Sequence, residues 1–192
     1  MKFAKVIRVL TVAPVMAMAT LCKLFIVDSG LFGEWYHFAI SMLFLGVLPL
    51  LAYPMQPYVP KFKDRGREGQ RTLAMLFAVG GYILGCVTNA FLSAPVSLWI
   101  IYLDYLISGM LILVFNKLFR LRASAHACGV AGPAALIAYL GVPVAIIPGV
   151  VLYFGALWAS IKMKRHTWQQ FIGGAAISLG VLCCLHLCFF VV

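Results

Sequence analysis

The sequence predicts an all-α protein, a polytopic transmembrane bundle of about six or seven helices, and three observations carry that reading. Apolar residues make up 64% of the 192-residue chain and charged residues 10%, with a mean hydropathy of +1.04, which excludes an ordinary soluble domain. Apolar runs of about 18 or more residues recur, each long enough to cross ~30 Å of hydrocarbon at ~1.5 Å per residue. The polar residues are confined to short connections, so residues 1–192 read as one membrane domain with no room left for a soluble one.

Spans are expected at about 7–27, 36–54, 71–92, 96–116, 126–141, 143–161 and 169–190. The first has Lys2, Lys5 and Arg8 ahead of it and small residues near Ala17–Thr20, as a secretory signal would. Its apolar stretch runs on to Val27, so an uncleaved span is expected. The fifth and sixth are short and joined only by Gly141-Val142-Pro143. Pro14, Pro49, Pro95 and Pro133 fall within or at the ends of spans, where neighbouring helices satisfy the freed backbone groups. Gly80, Gly81, Gly85, Gly173, Gly174 and Ala175 permit close helix approach. Cys22, Cys86, Cys128, Cys183, Cys184 and Cys188 lie in or beside apolar segments without zinc spacing, which reads as free thiols and no metal site.

Seven spans place the loops alternately on two sides. One side collects Lys2, Lys5, Arg8, Lys61, Lys63, Arg65, Arg67, Arg71, Lys117, Arg120, Arg122, Lys162, Lys164 and Arg165, leaving only Lys23 of the 15 Lys and Arg residues towards the other. The positive-inside rule makes the cation-rich face cytoplasmic in a cell membrane. The same cations attract anionic lipid headgroups, which accounts for much of the +10 net charge. They are spread over membrane-flanking loops rather than gathered on a soluble face, so no nucleic-acid partner is expected.

Two polar knots stand out on that face. Trp158–Gly174 (WASIKMKRHTWQQFIGG) contains Lys162, Lys164, Arg165, His166 and Gln170; Asn116–Gly132 (NKLFRLRASAHACGVAG) contains Asn116, Lys117, Arg122, Ser124 and His126. Arg122, Ser124 and His126 fall at the start of the fifth span, where unpaired N–H groups and the helix dipole suit a phosphate or carboxylate. His166 opens the seventh span with Gln170 one turn later on the same face, in reach of the imidazole. Two histidines among these cations fit phosphoryl chemistry on a lipid, one imidazole attacking and the other donating a proton. Asp104 is the one acidic residue well inside a span, a functional position by default unless Tyr102, Tyr105 or Ser108 satisfies it. His37, beside Glu34, Trp35 and Tyr36, reads as an interfacial residue of the far side, and His186 as a packed span residue.

Arg122-Ala-Ser124-Ala-His126, followed some forty residues on by Lys162-Met-Lys-Arg-His166-Thr-Trp-Gln-Gln170 and Gly173, resembles the type-2 phosphatidic acid phosphatase superfamily. The resemblance is to a prokaryotic branch with His-Thr-x-x-Gln where most members have His-x-x-x-Asp; the 55–71 loop, with Asp64, Arg65 and Glu68, is also similar. It implies a helical bundle that removes phosphate from lipid or isoprenoid phosphates without a metal or other cofactor. His166 would form a phosphohistidine, and His126 would protonate the leaving alkoxide. Arg122 would hold the phosphoryl oxygens, Ser124 would add a donor, and Lys117, Lys162, Lys164 and Arg165 would supply further cations. The chain departs from the family in three places. Ala123-Ser124-Ala125-His126 stands for Pro-Ser-Gly-His. Ser160 occupies the position of an arginine, leaving Lys164 or Lys162 to take its place. Gln170 replaces the carboxylate that would stabilise an imidazolium. The readings left open are a lipid phosphatase, a non-catalytic binder or transporter of a phosphorylated lipid, and ordinary positive-inside loops.

Overall fold

The computed structural model describes residues 2–119 and 122–190; Arg120, one of the loop cations, lies outside them. Among the described residues the chain is helical, with no strand. The helices are α1 (Lys2–Leu10), α2 (Ala13–Val27), α3 (Trp35–Ser41), α4 (Leu48–Met55), α5 (Gly66–Phe91), α6 (Val96–Lys117), α7 (Ala125–Tyr139), α8 (Ile146–Lys162) and α9 (Trp168–Phe190). Among the described residues five units are long and apolar enough to cross a membrane: Trp35–Tyr58, Lys63–Phe91, α6, Pro143–Lys162 and α9; the bent pair α1–α2 counts as a sixth only if its two helices form one span. This is the architecture of a multi-pass membrane protein.

The expected first span is not one helix. α1 and α2 meet at 53°, because Pro14 has no N–H to continue the ladder and Val12 ahead of α2 is extended (ψ 144°). Lys2, Lys5 and Arg8 recur every three residues along one side of α1, while Phe3, Val6 and Leu10 are exposed on the other. That division is typical of a helix lying in a membrane interface. In the second span, α3 passes through a turn of π-helix at Met42–Val47 into α4, next to Pro49.

α7 also differs from the expected span. Its 15 residues rise only ~22 Å, short of a hydrocarbon core. It nevertheless runs parallel to α9, the partner with which it packs most extensively. The Ser124 N–H donates to the Gln170 carbonyl (2.9 Å) at one end, and the Tyr139 hydroxyl meets His186 Nδ1 (2.9 Å) at the other. Gly174 makes the seam possible, since a Cβ there would run into the Ser124 carbonyl. Gly81 and Gly85 bring α5 onto the Phe44 backbone and the Tyr102 ring in the same way, whereas Gly80 and Gly173 face open space.

One core cluster fills the half of the bundle around Leu24, Phe32, Leu98, Tyr102, Leu136 and Leu182. A smaller one, Met16, Ala127, Val130, Ala156 and Phe171, lies beneath the two knots and anchors the first turns of α7 and α9. His37, near the start of the Trp35–Tyr58 unit, is buried, with Nδ1 2.8 Å from the Phe32 carbonyl. The six cysteines are free.

Candidate functional site

The head of α9 explains the His-Thr-x-x-Gln pattern. The Thr167 hydroxyl accepts from the Gln170 N–H (3.3 Å), and Gln170 Oε1 accepts from the Thr167 N–H (3.3 Å), forming a capping box. The same Oε1 faces His166 Nδ1 at 3.2 Å. A backbone N–H only donates, so the atom it meets is the amide oxygen and His166 must present Nδ1–H to it. The Nε2 lone pair of His166 is left without a hydrogen-bond partner among the described residues. Burial lowers the His166 pKa below the usual imidazole range, the Gln170 hydrogen bond raises it, and the Arg71, Arg8 and Arg165 charges lower it. The net effect keeps the ring neutral, the form that has a lone pair to offer.

His126 is held the opposite way. Its Nε2 lies 3.0 Å from Thr11 Oγ1, and Thr11 gives its single hydroxyl hydrogen to the Ile7 carbonyl at 2.8 Å. The hydroxyl therefore accepts from His126, whose proton sits on Nε2. Ser124 starts α7 by accepting from the Ala127 N–H (3.3 Å) and is fully buried, capping the helix rather than facing a cavity.

Beside His166 is a cavity of about 340 Å³ walled by Arg71, Arg122, Arg165, Asn116, His166 and Gln170. Asn116 Nδ2 donates to the Ala123 carbonyl at 2.9 Å, tying the end of α6 to the residue ahead of Ser124, and its buried Oδ1 has no partner among the described residues. Arg122 has left-handed backbone (φ 52°). Lys164 does too (φ 51°), completing a Schellman cap in which the Lys164 N–H reaches the Ile161 carbonyl and the Arg165 N–H the Ser160 carbonyl, both at 2.9 Å. That cap turns the chain so that Arg165 reaches the cavity wall. Ala123 and Gln170 are shared with a second crevice of about 260 Å³, whose other walls are Phe115, Gly173 and Ile177 of α6 and α9, together with Gln169.

Neither protein-family models, characterised proteins nor solved structures matched this chain. The site therefore rests on its own geometry.

The sequence-predicted residues divide accordingly. His166, Gln170, Arg122, Arg165 and Asn116 come together at the cavity; His126 does not line it, and its ring lies 6.3 Å from that of Phe171, one residue after Gln170. Lys117, Lys162 and Lys164 are exposed and line neither cavity; Lys162 Nζ lies over the Trp158 ring at 4.8 Å. Asp104 is buried with Oδ1 unpaired, twelve residues or ~18 Å along α6 from Asn116, and belongs to the bundle interior.

Three residues escaped the sequence reading: Arg71, which walls the cavity, Thr11, which holds His126, and Arg8, which donates from Nη1 to the buried Ser160 Oγ at 2.7 Å. Among the described residues the only ion pair is the exposed Arg65–Glu68, so the arginines of the site have no carboxylate partner. The signals for Arg8 and Arg71 were their charges, which the positive-inside pattern absorbed. Thr11 carried none.

Proposed function

We propose that this protein is an integral membrane phosphatase acting on lipid- or isoprenoid-linked phosphates through a phosphohistidine. The observation that carries the reading is the pair of histidine tautomers, with a free Nε2 lone pair on His166 in an arginine-walled cavity and a proton on Nε2 of His126. His166 Nε2 attacks phosphorus and the phosphorus–oxygen ester bond breaks. His126, protonated on Nδ1 as well once the phosphate is bound, gives its Nε2 proton to the leaving alkoxide and returns to the neutral ring. Water then attacks the phosphohistidine, returning a proton to His126 as the phosphorus–nitrogen bond breaks and inorganic phosphate leaves. The guanidiniums stabilise the charge spread over the phosphoryl oxygens, and their lack of carboxylate partners leaves them available for it.

The apolar crevice along Phe115, Gly173 and Ile177 adjoins the polar cavity at Ala123 and Gln170, which supports an amphiphilic substrate whose chain lies between α6 and α9. On the loop charges, the site opens to the cytoplasmic face of the cell membrane.

A second reading, a binder or transporter of a phosphorylated lipid, is favoured by two features. Gln170 cannot stabilise imidazolium by charge, and the His126 proton is already engaged by Thr11. Phosphate release by purified protein separates the two, using phosphatidic acid, phosphatidylglycerol phosphate and prenyl mono- and diphosphates with chelator present. Release abolished by His166→Ala is expected. Binding of these lipids with no release above that variant would hand the case to the binder.

A further inference from the structure

Arg8 is the most unusual cation in the molecule. It is half-buried, projects from the basic side of a helix whose other side is exposed and apolar, and has no carboxylate partner. Its guanidinium does not line the cavity but lies behind that wall on Ser160, with the charges of Arg165 and Arg71, which do line it, as neighbours. Holding a guanidinium among like charges costs free energy, which a surface side chain would avoid by swinging into water. Instead it is fixed: Nη1 donates to Ser160, and Phe3, earlier in α1, packs 6.1 Å from Trp158 of α8. Ser160 gathers two arginines, taking Arg8 on its hydroxyl and the Arg165 N–H on its carbonyl. One turn beyond Arg8, Thr11 holds His126. α1 and the turn that follows it thus touch both Ser160 and His126.

We propose that Arg8 is an anion-binding residue of this site, delivered by the interfacial helix α1 and presented by Ser160 to the phosphate held against Arg71 and Arg165. The inference rests on reading the cavity as a phosphate site. A guanidinium has five N–H donors; Ser160 takes one, and the remaining fork is what a phosphoryl group needs. The bound anion neutralises the arginine cluster, so the repulsion present in the empty site becomes affinity in the filled one.

The test is binding of inorganic phosphate to the full-length protein in nanodiscs of zwitterionic lipid, followed by calorimetry and by the His166 ring resonances. Arg8→Gln is expected to weaken binding about tenfold or more, the loss of a charge-assisted hydrogen bond. Ser160→Ala, which frees the guanidinium but keeps its charge, is expected to weaken it less. Arg165→Gln is the comparison, and thermal midpoints report the fold. If Arg8→Gln binds phosphate like the wild type while Arg165→Gln does not, Arg8 is no part of the site and the proposal falls alone. If the wild type itself binds no phosphate, the cavity reading falls and the proposal falls with it. Should Arg8→Gln not fold, Arg8→Lys decides: an ammonium lacks the fork, so several-fold weakening is expected, and wild-type affinity overturns the proposal.

Discussion

Replacing Gln170 by Glu tests how the His166 ring is held. The oxygen 3.2 Å from Nδ1 stays, as does the acceptor for the Thr167 N–H, but it now carries charge. A unit charge about 4 Å from the ring contributes ~4 kcal/mol at an effective dielectric of ~20, an upper limit of ~3 pKa units. Gln170 is half-buried and borders a cavity, so screening reduces this, and a rise of about 1–2 units is expected. In the wild type, burial and the Arg71, Arg8 and Arg165 charges outweigh the Gln170 hydrogen bond and hold the pKa below its ordinary value. In the reaction proposed above the attacking form is neutral, so the acid limb of the wild-type kcat/KM profile is expected below the usual imidazole range, and that of Gln170→Glu at higher pH. Titration of the His166 ring nitrogens by NMR gives the pKa directly and also shows whether the proton sits on Nδ1. The reasoning is refuted if Gln170→Glu leaves the His166 titration where it was, or if the wild-type ring carries its proton on Nε2.

The remaining predictions concern the scaffold around that ring. Gly174→Ala puts a Cβ into the Ser124 carbonyl and is expected to cost about 1–3 kcal/mol, read as a lower thermal midpoint in detergent. Thr11→Val keeps the shape but removes the acceptor, leaving the half-buried His126 Nε2–H unpaired at a cost of about 1–3 kcal/mol. Its signature is a changed His126 ring resonance with His166 unaltered, and unchanged His126 spectra would count against the assigned tautomer. Lys164→Gly relieves the left-handed backbone and is expected to raise stability by ~1 kcal/mol, measured by denaturant unfolding; a loss would mean that the lysine side chain makes a contact of its own.

What the sequence disclosed follows from the range of the interactions. The His166–Gln170 pairing spans four residues, so helical periodicity was enough to find it. The break at Pro14 was local too, but a continuous apolar run masked it. Lys162 and Lys164 were indistinguishable from Arg165 by charge, and only the cap geometry at the end of α8 sends Arg165 alone to the cavity. Ser124 was legible as a helix start, but which way its hydroxyl points depends on how closely Gly174 lets α9 approach. Arg8 and Thr11 reach partners 152 and 115 residues away, and no pattern within one chain encodes such a meeting.

That separation also bears on how the protein is made. At ~5–20 residues per second, α1 leaves the ribosome about 8–30 s before the residue that will hold Arg8 exists. During that interval α1 lacks α8, the helix it packs against most extensively. A helix with a basic side and an exposed apolar side does not need that partner immediately, because the membrane surface itself shelters it. The amphipathic character of α1 is thus a waiting state written into the chain: it parks Arg8 at the surface until the penultimate helix arrives to collect it.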